Sequence, residues 1–78
     1  MDPILLKNLR VITKTFVEEQ AVKGILEINA LIYSIKAFLE AVQKKPQEYA
    51  EFKQTFVEVI KLDYPHLLDK MSKYIILF

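Results

Sequence analysis

The chain has 78 residues, a net charge of +1, 53% apolar and 27% charged residues, no cysteine and a single histidine. That length allows one domain, residues 1–78, and the cysteine and histidine counts exclude a disulfide scaffold and a Cys/His zinc site. The near-neutral balance gives no global attraction to nucleic acid or to acidic partners, so any such role has to come from local charge placement.

Asp2 followed by Pro3 reads as an N-cap and first-turn pair that opens a helix. Within it Leu5, Leu9, Ile12 and Phe16 recur at helical spacing and mark one buried face. A second series, Ala21, Ile25, Ile28, Ile32, Ile35, Leu39 and Val42, lies roughly 130° out of phase with the first on a straight helix. A break between Glu18 and Gly24, with the glycine ending the first helix, resolves the mismatch. The alternative is one long, kinked helix running through Gly24.

Farther along, "KKPQEYAEF" opens a third helix at Pro46, with Tyr49, Phe52, Phe56 and Val59 as its inward stripe and Glu48, Glu51, Gln54, Glu58 and Lys61 outside. "LDYPHLL" opens the last at Pro65, with Asp63 as its expected cap and Leu67, Met71, Tyr74, Ile75 and Phe78 inward. No segment alternates as a strand would. The expected fold is all-α: a small antiparallel bundle of three to four helices, two long and two shorter, completed in one reading by homodimerisation.

The helix from Ile25 to Val42 poses the main question. Glu27, Lys36 and Glu40 interrupt it, so it does not read as a membrane span. Its main arc is Ile25, Ile28, Leu31, Ile32, Ile35, Phe38, Leu39 and Val42, and a second apolar strip, Leu26, Ala30, Tyr33, Ala37 and Ala41, runs along another side. Two apolar faces place a helix between two neighbours. Both are helices of the same chain, or one belongs to a partner chain, self or heterologous; a membrane surface is a third, weaker option. The C-terminal "YIILF" raises the same choice, because five consecutive apolar residues cannot share one helix face; Ile76, Leu77 and Phe78 are therefore expected at an interface.

Polar candidates for chemistry are sparse. Lys7, Arg10 and Lys14 fall opposite the expected buried stripe of the first helix and form a row able to track phosphates, against the plainer reading of a solvated face. His66, Lys70 and Lys73 make a shorter row, in which His66 reads as a surface residue without a nucleophile to serve. The glutamate pairs Glu18 with Glu19 and Glu48 with Glu51 lack the Glu-x-x-His partners of a di-iron bundle. Tyr33, Tyr49, Tyr64 and Tyr74 read as core or interface aromatics. No catalytic residue, metal or cofactor is expected.

The leading expectation is a non-enzymatic protein-interaction module, such as an accessory subunit, adaptor or regulator, docking through apolar helix surface. The alternative is a small nucleic-acid-binding regulator using Lys7, Arg10 and Lys14, and the weaker one an immunity-type protein at a membrane surface. In general shape the chain resembles plasmid and viral regulatory proteins, small accessory subunits and bacteriocin immunity proteins; the likeness lies in shape, with no motif and no residue carried over. Asp2 stands where a secretory leader would carry basic residues, so a cytoplasmic location is expected. The lysine- and isoleucine-rich composition, with one arginine, points to an AT-rich genome or a thermophile.

Overall fold

In a computed structural model of the chain, residues 2–77 are described, with side chains through residue 75. Among the described residues four helices follow one another: α1 Pro3–Val22, α2 Glu27–Ala41, α3 Pro46–Asp63 and α4 Leu68–Leu77, with a 3-10 turn, Pro65–Leu67, leading into the last. No strand occurs among the described residues. With 20, 15, 18 and 10 residues, three of the helices are long and one is short, so the third exceeds the length expected of it.

The starts follow the prolines. Asp2 Oδ1 accepts from the backbone N–H of Ile4 at 2.9 Å and of Leu5 at 3.4 Å, capping α1 as the Asp-Pro pair requires. Pro46 and Pro65 each occupy the first helical position of their segments, where a missing N–H leaves no hydrogen bond unmade.

Gly24 separates α1 from α2. Its φ of +81° is the left-handed conformation that closes a helix, and the Ile25 N–H donates to Gln20 O while the Gly24 N–H donates to Ala21 O, both at 3.0 Å. Together these bonds form a Schellman motif, which satisfies the last carbonyls of α1 and turns the chain back as a hairpin. Leu26 then serves as the N-cap of α2 without a side-chain bond, so α2 begins two residues later than its apolar run.

The core joins all four helices through Leu9, Val17, Leu31, Ile35, Leu39, Phe56, Val59, Ile60, Tyr64, Met71 and Ile75. Phe38 ties α2 to α3 through rings at 6.4 Å from Phe52 and 5.9 Å from Phe56. The radius of gyration, 11.8 Å, matches the value of about 11.5 Å for a compact chain of this length.

The inward face of α1 differs from the expected one. Leu9, Thr13 and Val17 are buried, while Ile12 remains 49% exposed. The face is therefore turned by roughly 70° at 100° per residue from the Leu5, Leu9, Ile12, Phe16 stripe. On α4, Met71 and Ile75 face inward but Tyr74 is exposed. Asp63 is the last residue of α3 and caps nothing; its carboxylate is engaged by Arg10 instead.

Candidate interaction surfaces

The first surface lies along the edge between α1 and α2. Phe16 and Tyr33 stack across the hairpin with ring centroids 5.6 Å apart and planes 11° apart. Tyr33 is nevertheless 65% exposed, because only one face of its ring is covered. The Schellman turn brings Ile25 beside this stack, and Phe16, Gln20, Ile25, Asn29, Ala30 and Tyr33 line a shallow cleft of about 450 Å³. Counting back along α1 and forward along α2 from the stacked pair puts Ile12 level with Ala37, and both are exposed. Leu26, 67% exposed, and Ala41 extend the apolar edge at either end of α2.

Of the strip expected at an interface, Leu26, Tyr33, Ala37 and Ala41 are thus on the surface. Ala30 is corrected: at 1% exposure it belongs to the chain's own core, where its small side chain packs inside the hairpin. The side chains of Ile76, Leu77 and Phe78 lie outside the described residues. Ile12 and Phe16 join the edge from α1, a contribution the sequence obscures because both fit a helical stripe that reads as buried. The flanking signal was the phase shift at Gly24, which fixes two stripes but not the roll of α1 about its axis.

The second surface is the basic row. Lys7, Arg10 and Lys14 are all exposed, and with Pro3, Leu6, Val11 and Asp63 they line a cleft of about 540 Å³. Because the inward face of α1 is rolled, the row flanks the core instead of opposing it, and this brings Arg10 to the end of α3. Its Nε donates to Asp63 Oδ2 at 3.1 Å and its Nη2 to Oδ1 at 2.8 Å, a two-pronged fork. The guanidinium holds the Asp63 carboxyl below its usual range by direct hydrogen bonding, against an opposing push from burial; Lys14 adds to the downward pull. Arg10 is raised in return by the same hydrogen bond.

A third polar cluster joins α2 to the turn before α4. His66 Nε2 stands 2.6 Å from Glu27 Oε1, so the surface histidine has a carboxylate partner 39 residues away in sequence. Beside it the hydroxyl of Tyr64, a residue 6% exposed overall, is pushed up by burial, then by the charges of Glu27, Asp63 and Glu18. Among the described residues no three His, Cys, Asp or Glu side chains converge as a metal site requires, and no helix is long and apolar enough to cross a membrane. Compared with family models, with curated proteins and with solved structures, the chain matches none.

Proposed function

We propose that the protein is a non-enzymatic interaction module that docks onto another protein chain through the α1–α2 edge. The observation that carries this reading is the exposure of Leu26 and Tyr33, at 67% and 65%, on the apolar side of a hairpin whose other side is filled by α3 and α4. Apolar side chains this large, on one edge that the small residues Ala37 and Ala41 continue beyond Tyr33, mark an interaction surface more than a solvated one. Tyr33 suits the role of anchor: a large, rigid ring with a polar tip that orders at low entropic cost.

A photo-crosslinking amino acid placed at Ala37 of the full chain, in the cells that make it, should yield a protein adduct, self or heterologous. The same group at Ala50, an exposed position on α3, should not. Equal yields at the two positions would remove the basis of the proposal. Light scattering behind size exclusion then separates a second copy of this chain from a different partner.

The nucleic-acid reading draws on Lys7, Arg10 and Lys14. Against it, Arg10 is already held by Asp63, so a phosphate would meet a compensated guanidinium and a neighbouring carboxylate.

A further inference from the structure

The cleft between α1 and the end of α3 is not explained by an apolar docking edge. It holds three cations and one carboxylate, Lys7, Arg10, Lys14 and Asp63, for a local charge of +2. Lys7 and Lys14 stand two helical turns apart, about 10.5 Å along the axis, and neither forms an ion pair with any described residue, although Lys14 acts on Asp63 through its charge. Arg10, between them, is fixed by its fork to Asp63, and the N–H groups that the fork does not use remain available for a second acceptor. The rest of the lining is apolar: Pro3, Leu6 and Val11, of which Val11 is 59% exposed and shares the outer face of α1 with Ile4, two turns away and 69% exposed.

From this juxtaposition of unpaired lysines, a positioned arginine and exposed aliphatic carbons, we infer that the cleft binds an acidic, amphipathic peptide segment of a protein partner. Carboxylates spaced by about two helical turns reach Lys7 and Lys14, and an aliphatic or aromatic side chain between them covers Val11 and Leu6. Charge complementarity chooses this occupant. An apolar partner would desolvate two lysines without compensation. A nucleic-acid backbone offers less apolar surface to bury against Pro3, Leu6 and Val11 than an aliphatic or aromatic side chain does. The site is separate from the α1–α2 edge and does not depend on it.

The test uses the full chain, immobilised and used to select from a displayed library of random peptides. Sequences with two or more acidic residues flanking an apolar one should be enriched. A synthetic peptide of the selected sequence should then lose about tenfold or more in affinity for the K7E/K14E variant, two charge pairs having become two repulsions. Binding should also weaken with added salt. Gln54→Ala, an exposed position on α3 outside both surfaces, should leave it unchanged, and circular dichroism of each variant establishes that it is folded. Selection without acidic bias, or an acidic peptide that binds K7E/K14E as well as the parent, would overturn the inference. So would a fluorescent single-stranded oligonucleotide that binds at low salt, loses affinity in K7E/K14E and displaces the peptide, since the cleft would then be a phosphate site.

Discussion

Thr13 occupies a position in the core that its chemistry does not favour. It is fully buried between Leu9 and Val17, and its Oγ1 has no hydrogen-bond partner among the described residues. Thr55, equally buried, differs in donating its hydroxyl to Glu51 O at 2.8 Å. A buried hydroxyl without a partner costs about 1–3 kcal/mol, whereas valine has nearly the same shape and helix propensity. Thr13→Val is therefore expected to stabilise the fold by about 1 kcal/mol, raising Tm by about 4–8 °C. Thr55→Val, which gives up a made bond, should bring less or none. A thermal melt in which the two variants shift equally would contradict this.

Arg10 and Asp63 give a second expectation at the same scale, one of pH. The Asp63 carboxyl is depressed in the fold below its ordinary value of 3.8, so the folded state binds its proton less readily than the unfolded chain does. The resulting stability is present above that ordinary value and is lost as pH falls through the lower, folded one. Asp63→Asn should accordingly be less stable than the parent at neutral pH, with the gap closing below pH 3.8. Melts of both proteins from neutral pH down to about pH 2 check it, and a gap that persists unchanged at the acid end would show that the substituted amide harms packing rather than charge pairing.

Among the elements, the α1–α2 hairpin turns on a single backbone angle. At Gly24 a Cβ would meet nothing within 4 Å, so a substitution there is strained by its positive φ and not by crowding. Left-handed backbone costs an ordinary residue about 1–2 kcal/mol, and asparagine less. Denaturant titration should find Gly24→Ala destabilised by about that amount and Gly24→Asn by less; reversed order would mean the turn is held by something other than its conformation. The hairpin was legible in the sequence for the same physical reason, since two apolar series out of phase cannot share a straight helix and one glycine offers the break. Helix starts were legible too, at Asp2-Pro3 and Pro46, because a first-turn proline and a cap act locally; Pro65 opens the 3-10 turn that leads into α4 at Leu68. What escaped is long-range. Hydropathy favours Ile12 over Thr13 for the core, but the roll of α1 is set by where α2 and α3 lie, and that puts Leu9, Thr13 and Val17 on the inside. Asp63 read as a cap because sequence shows only its neighbours, whereas its partner Arg10 lies 53 residues upstream. On the candidate surface, Leu26, Tyr33, Ala37 and Ala41 were readable as a strip, but Ala30 was not separable from them: the same spacing serves a helix face whether it is covered or bare.

At the scale of the whole molecule the decisive quantity is how little core there is to spare. The chain exposes 5361 Å², above the roughly 4,900 Å² typical of a monomer of this mass, and a fold this small has about 3–5 kcal/mol of stability to lose. Removing the Phe56 ring, 1% exposed and packed against Phe38, is worth about 3–5 kcal/mol by itself, so Phe56→Ala should leave much of the population unfolded at 25 °C. Tyr33→Ala forfeits mainly its stack on Phe16, about 0.5–1.5 kcal/mol, and Leu26→Ala, at an exposed N-cap that makes no side-chain bond, should stay within about 0.5 kcal/mol of the parent. The order of the three variants in a chemical denaturation series tests the division between core and spare surface. If Leu26→Ala costs as much as Tyr33→Ala or more, Leu26 is covered in solution and the docking edge loses one of its two anchors. If Leu26→Ala is silent in stability yet diminishes the adduct formed from Ala37, the side chain serves a partner and not the fold, which is the distinction the proposed function requires.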